Sequence, residues 1–230
     1  MSHDSAPDLP RAVTRLGFWA GILSGILAFS WLVTMIVQTA LAPPQPWAGV
    51  LPFADTFDPI QLLNFIPSLP LASSFLVLMV CITFYASEKD KVWAMLGLAF
   101  TIVYAVMASI NYLSQLLVVR TSLALGETEG LGLFVHGNPH SLFWALANSY
   151  GYMSLAMLFA AWVFGSRGLE RWVRWLFVAV GVTAPLQFVG VLFQLGLAVG
   201  APAGLIWSIA TPAACFLMAV LFRRREGRLL

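Results

Sequence analysis

Long apolar segments dominate this sequence and limit the folds that it can adopt. Six of them cover residues 16–42, 69–87, 92–119, 141–164, 172–199 and 203–222. At about 1.5 Å of rise per helical residue, each is long enough to cross the roughly 30 Å of hydrocarbon in a bilayer. Only 10% of the residues are charged, which excludes an ordinary soluble domain. We therefore predict an all-α, polytopic transmembrane helix bundle with six spans.

The positions of the basic residues predict how the bundle is oriented, because Lys and Arg near short loops stay on the cytoplasmic side. With a cytoplasmic N-terminus, eleven of the twelve basic residues lie inside and Arg120 alone lies outside. We therefore expect both termini in the cytoplasm and, from the excess of Arg over Lys, the inner membrane of a bacterium. The expected organisation is a tail over 1–15, a transmembrane domain over 16–222 and a basic tail over 223–230.

Seven of the thirteen prolines lie between residues 43 and 70 and prevent a continuous helix there. Asp58 followed by Pro59 is a favourable helix start, and apolar residues follow it as far as Ile66. We expect this Pro-rich outer loop to contain a short helix. We expect this helix to be interfacial, at the outer membrane surface, and the alternative is a kinked extension of the second span.

Uncharged polar and aromatic side chains gather in the outer halves of spans three and four. Asn111 and Gln115 share one face of the third span, which ends at Arg120. The fourth span carries a second set at successive i, i+4 positions: His140, Trp144, Asn148 and Tyr152.

We predict that these seven residues line an outward-facing pocket between spans three, four and five for a small amphiphile or lipid. The amides would orient the ligand, the aromatic rings would cover it, and Arg120 would meet an anionic head group. In the alternative interpretation, the amides bond between helices and hold the bundle together.

The segment His136-Gly137-Asn138-Pro139-His140 has the H-x-x-x-H spacing of some metal ligands, and Glu127 and Glu129 precede it. However, Asn138 and Pro139 also suit the N-cap and first residue of the fourth span, which accounts for the motif without a metal. We therefore assign no metal, and the sequence identifies no cofactor.

Small residues and prolines mark places where helices approach or bend. Gly17, Gly21 and Gly25 form a stripe that lets another helix come close, either within the chain or from a second copy or partner subunit. Pro185 and Pro212 lie near the middle of spans five and six, where each removes a backbone hydrogen bond.

Most tryptophans lie near predicted span ends, as expected for an interfacial belt. Trp207, close to the predicted start of the sixth span, belongs to this group. Trp31 and Trp162 lie farther along their spans, and we expect them to pack against other helices.

The stretches 111–115 with Arg120, 126–131 and 138–152 resemble an uncharacterised group of bacterial six-span integral membrane proteins. The resemblance covers roughly the central fifth of the chain. It implies the same six-span topology and no assigned activity.

Membrane lipids are the expected surroundings, and the net charge of +2 gives no reason to expect nucleic acid. No ionisable residue lies in the middle of a span, which argues against proton-coupled transporters and ion pumps. Ligand binding is the leading hypothesis. The alternatives are a neutral-solute transporter or facilitator with Pro185 and Pro212 as hinges, a structural subunit that docks through the glycine stripe, and an interfacial enzyme using His140 with Glu127 or Glu129.

Overall fold

The computed structural model describes residues 9–193, 195 and 197–226. Within these residues the chain is all-α and contains no strand. Its α-helices are α1 (Arg11–Leu41), α2 (Val50–Thr56), α3 (Phe65–Tyr85), α4 (Lys91–Leu113), α5 (Arg120–Leu125), α6 (Leu142–Ala147), α7 (Ser149–Ala160), α8 (Gly168–Gly181), α9 (Ala184–Leu192) and α10 (Leu197–Glu226).

Among the described residues, five helical segments are long and apolar enough to cross a membrane, which marks the chain as a helical multi-pass membrane protein. They are Arg11–Leu41, Pro59–Tyr85, Glu88–Leu125, Gly168–Gly190 and Pro202–Arg225. The fourth predicted span is not one continuous helix, because it is interrupted at Asn148. There ψ is −11°, well away from the usual helical value of about −42°.

The long helices form a closed ring in chain order. Each packs against the next: α1 on α3, α3 on α4, α4 on α7, α7 on α8 and α8 on α10. α10 packs in turn against α1 and closes the ring. Neighbours run antiparallel, as Trp93 and Tyr112 illustrate for α4 and α7. Trp93, early in α4, stacks on Phe159, late in α7, whereas Tyr112, late in α4, bonds to Tyr150, early in α7.

The contact between α1 and α10 is close because the glycine stripe of α1 faces α10. A Cβ added to Gly21 would lie 2.9 Å from both the Ala219 backbone nitrogen and the Cys215 carbonyl oxygen. Gly17 and Gly25 are covered in the same way by phenylalanine rings of α10. The stripe is therefore occupied by a helix of the same chain.

Two long connections pack on each other across one end of the ring. Phe53 of α2 lies against Gly137, where an added Cβ would come within 2.7 Å of the Phe53 Cε2. A small buried core lies beneath this contact and consists of Val119, Leu131 and Val135. We call α2 together with residues 131–140 the cap. At the opposite end, the Arg223 guanidinium of α10 lies 5.7 Å from the Phe18 ring centroid of α1, and we call this the basic end.

The short helix after Asp58, expected at the interface, instead continues into the second span, as the alternative interpretation has it. The Asp58 side chain accepts from the Ile60 N–H over 2.8 Å and starts a 3-10 turn over Pro59–Leu62, which leads to α3. A separate short helix that the sequence did not predict, α2, precedes it and packs against the 131–140 connection. This helix is hard to predict because its apolar residues are stabilised by the 131–140 connection, which is distant in the sequence.

The first and last helices, α1 and α10, also extend beyond their predicted bounds. α1 begins at Arg11 and α10 covers Leu197–Glu226, so part of each predicted tail is helical. Residues 1–8 and 227–230 of those tails lie outside the described residues. The earlier start of α10 places Trp207 about 15 Å along its helix instead of near its end.

Replacing Gly21 with Ala should lower the thermal unfolding temperature of the purified protein. The added Cβ meets backbone atoms of α10, which move only if the two helices separate, at a cost of about 1–3 kcal/mol. Gly204→Ala is the matched control, because a Cβ there has no neighbour within 4 Å. Equal unfolding temperatures for the two variants would contradict the close contact.

Candidate functional site

The seven residues predicted to line a pocket fall into three groups. Two hold the cap in place, three lie at or near the bundle surface, and two carry buried amide atoms. In that order they are Gln115 and Trp144; Arg120, His140 and Tyr152; and Asn111 and Asn148.

Gln115 hydrogen-bonds to the backbone of two cap residues, Phe134 and His136. Its Nε2 donates to the Phe134 carbonyl over 2.6 Å, and its Oε1 accepts from the His136 backbone N–H over 3.3 Å. The Trp144 Nε1 donates to the His136 carbonyl over 3.0 Å. These two predicted site residues therefore position the cap.

His136 is enclosed by three aromatic rings. Its ring centroid lies 5.5 Å from that of Phe53, 5.7 Å from that of Phe65 and 6.0 Å from that of Phe143. Its Nδ1 lies 3.3 Å from the Gln115 Oε1. Because an apolar environment disfavours the charged imidazolium, burial lowers the pKa of His136 to about 4. His136 is therefore uncharged at neutral pH.

In the segment from His136 to His140, Asn138 stabilises the turn that leads into α6. The Asn138 Oδ1 accepts from the His140 N–H over 3.0 Å, and its Nδ2 donates to the Gly132 carbonyl over 2.7 Å. The helix begins at Leu142, later than the predicted start at Pro139, because this turn continues to Ser141. Within the described residues, no group of three or more His, Cys, Asp or Glu side chains is arranged to hold a metal ion.

The three residues at or near the bundle surface do not line a common pocket. Arg120 and His140 are exposed. Tyr152 is half-buried, stacks on Phe100 with ring centroids 6.3 Å apart and makes a T-shaped contact with Phe188 with ring centroids 5.2 Å apart. Its environment is the apolar seam that α7 forms with α4 and α9.

Five aromatic residues from four helices meet inside the ring. The Trp207 ring centroid lies 5.0 Å from those of both Trp31 and Tyr150, and Tyr104 lies 6.0 Å from Tyr150. The hydroxyls of Tyr112 and Tyr150 are 2.5 Å apart and share a hydrogen bond. We call these five residues the interior aromatic cluster.

Among the described residues, several polar atoms on the same helices are buried without a hydrogen-bond partner. Asn111 is the clearest case, because it is only 1% exposed and neither of its amide atoms has a partner. The others contribute one atom each: Tyr104 Oη, Ser149 Oγ, Trp207 Nε1 and Thr211 Oγ1. An unsatisfied buried group costs about 1–3 kcal/mol, so native proteins usually supply such groups with ordered water or a ligand.

Asn111 and Asn148 do not hydrogen-bond to each other, since both amide atoms of Asn111 and the Asn148 Oδ1 lack a partner among the described residues. Asn111 instead shares a helix face with Tyr104, two turns earlier in α4. By contrast, the polar groups between α7 and α9 satisfy one another. The Gln187 Nε2 donates to the Ser154 Oγ over 3.0 Å and to the Thr183 Oγ1 over 2.9 Å.

The two prolines considered as hinges differ in their effects. The chain breaks between α8 and α9 just before Pro185, and the bonds of Gln187 brace that break. Pro212 lies within α10, which continues past it without interruption.

Sequence reasoning missed most of the interior aromatic cluster. The sequence places Trp207 in the interfacial belt, but it is only 3% exposed and contacts Trp31 of the neighbouring helix α1. The sequence does contain a signal for its burial in the interior. Thr211 lies four residues after Trp207, so the two place polar atoms on one face of an apolar helix. Tyr104 and Asn111 give the same signal on α4.

The interior therefore combines aromatic surfaces with uncharged donors and acceptors. Such a lining can hydrogen-bond a neutral polar group and cover an apolar one. No family model matches the sequence, and no curated protein or solved structure matches it.

Stability should decrease as the pH falls from 6.5 towards 4. Unfolding returns His136 to its ordinary pKa of 6.5, so the unfolded chain takes up a proton that the folded chain, with a pKa of about 4, does not. The loss is complete below the folded pKa. Unfolding temperatures across this range should fall less in His136→Gln than in the natural protein.

His140→Gln is the matched control, because His140 is exposed. Its pH profile should equal that of the natural protein. A His136→Gln profile that is also unchanged would contradict the neutral, enclosed imidazole.

Proposed function

We propose that the protein spans the inner membrane of a bacterium six times, with both termini in the cytoplasm. The fourth predicted span, which is divided into α6 and α7, supports a total of six spans. Residues 142–163 rise by about 33 Å, which matches the roughly 30 Å of hydrocarbon. α7 also occupies a full place in the ring, antiparallel to α4 and in contact with α8.

The charge distribution supports the orientation. α1 begins and α10 ends at the basic end, where the α3–α4 connection carries Lys89 and Lys91. Arg120 follows Val119 of the small core beneath the cap, and is the one basic residue described at that end. An excess of positive charge on one side is typical of a cytoplasmic face.

We further propose that the interior binds a small amphiphile with an uncharged polar head. Asn111 is the observation that carries this proposal, because an amide buried without a partner needs one in the native state. A ligand that both donates and accepts would satisfy its two amide atoms. The Tyr104 Oη, two turns earlier on the same helix, and the Trp207 Nε1, on α10 across the ring, offer further hydrogen-bonding atoms.

The lining determines the class of ligand. Within the described residues, no Asp, Glu, Lys or Arg is buried, so nothing inside compensates a charge. The aromatic rings provide surfaces for an apolar portion. This site lies between spans three, four and six, one helix around the ring from the pocket expected between spans three, four and five.

Native mass spectrometry combined with lipid analysis of the detergent-purified protein tests the ligand. We expect a stoichiometric bound molecule that is retained less well in Tyr104→Phe, by roughly three- to tenfold for one lost hydrogen bond, and is absent in Asn111→Ala. Tyr152→Phe is the matched control, because it removes a hydroxyl in the seam outside the interior aromatic cluster.

Bulk lipid alone in every sample would overturn the ligand proposal. A second measurement strengthens the test: if no ligand uses the Asn111 amide, Asn111→Leu should raise the unfolding temperature, because an apolar side chain no longer buries unsatisfied atoms. If a ligand does use it, the same variant should lose the ligand and become less stable.

Labelling of single cysteines with a membrane-impermeant maleimide in intact bacteria tests the sixth span. The exposed positions Glu129→Cys and Ser166→Cys flank the fourth element, in a background where Cys81 and Cys215 are replaced by Ala. We expect Glu129→Cys to react and Ser166→Cys to react only after the membrane is permeabilised. Reaction at both positions in intact cells would show that residues 142–163 do not cross.

A further inference from the structure

A cleft of about 240 Å³ opens at the basic end between α3, α8 and α10. Three guanidinium groups line it, those of Arg167, Arg224 and Arg225, against the single carboxylate of Glu170. The cleft lies far along α10 from Trp207, so an inference about it does not depend on the ligand proposed for the interior.

The carboxylate in the cleft is already fully engaged. The Glu170 Oε1 accepts from the Tyr85 hydroxyl and lies 3.7 Å from an Arg225 nitrogen, while its Oε2 accepts from the Gly165 N–H over 2.8 Å. Arg225 also donates to the Tyr85 hydroxyl over 3.2 Å. These contacts hold Arg225 at the wall of the cleft and leave Arg167 and Arg224 to give it a net positive charge.

The backbone at the start of α8 adds to this charge. The cleft is lined by Gly168, Leu169 and Glu170, the first turn of the helix, whose N–H groups have no acceptor within the helix. No side chain caps this turn. The partial positive charge of the helix start therefore points in the same direction as the guanidinium groups.

We propose that this cleft binds a phosphate group, with Arg167 and Arg224 as its main contacts and Arg225 as a fixed wall. Guanidinium groups present paired N–H donors that match phosphate oxygens. The same chemistry is offered by the head group of an anionic phospholipid and by free phosphate. Exposed Trp172 and Trp175 on α8 place the cleft at the level of lipid head groups, which favours the lipid source.

Native mass spectrometry of the full chain in neutral detergent tests the proposal with phosphatidylglycerol, phosphatidylcholine and inorganic phosphate as separate probes. We expect preferential retention of phosphatidylglycerol over phosphatidylcholine. The double variant Arg167→Gln/Arg224→Gln should reduce that preference by about fivefold for each guanidinium removed. Both positions are exposed, so the fold should be retained.

Arg171→Gln/Arg174→Gln is the matched control, because it removes the same charge from α8 outside the cleft, where these arginines lie over tryptophan rings. We expect the control to keep the preference. Equal losses in both double variants, or no preference in the natural protein, would overturn the proposal and indicate diffuse surface attraction.

Inorganic phosphate distinguishes the two sources. If it displaces phosphatidylglycerol and raises the unfolding temperature of the natural protein but not of Arg167→Gln/Arg224→Gln, the site is a free-phosphate site. If phosphatidylglycerol is retained in its presence, the site is a head-group site. Both results support phosphate binding in the cleft.

Discussion

The contact between the first and last helices closes the ring, and the interior exists only while that contact holds. Lipid tails are as apolar as the helices, so close van der Waals packing, not the hydrophobic effect, holds membrane helices together. Gly21 permits that packing by bringing the backbones of α1 and α10 together. With α10 in place, Trp207 meets Trp31 and the buried polar atoms are separated from lipid.

The two ends of the ring and its interior differ in chemistry. The cap is aromatic and holds a neutral histidine, the interior carries uncharged hydrogen-bonding groups, and the basic end carries guanidinium groups. Phe65 connects the first two regions, because its ring contacts His136 in the cap and stacks on Tyr112 inside. A change in the cap therefore has a direct packing route to the interior aromatic cluster.

The sequence predicts the helical membrane architecture well, because hydrocarbon thickness fixes the length of apolar segments. It predicts the site poorly, because the partners of a polar side chain depend on neighbouring helices. Gln115 shows the difference: its burial follows from the helix face that it shares with Asn111, but its bonds go to a connection about twenty residues later. Trp207 shows the same dependence, since Trp31 and Tyr150 of other helices bury it, and α10 also begins six residues before its predicted start.

Ring closure by the last helix also has a consequence for biosynthesis. At about 5–20 residues per second, roughly ten to forty seconds separate the emergence of α1 from that of α10 at the ribosome. During this interval the stripe of Gly17, Gly21 and Gly25 has no native partner. Ring closure therefore waits for the last helix, and until it arrives the glycine stripe is open to other small-residue helices in the membrane.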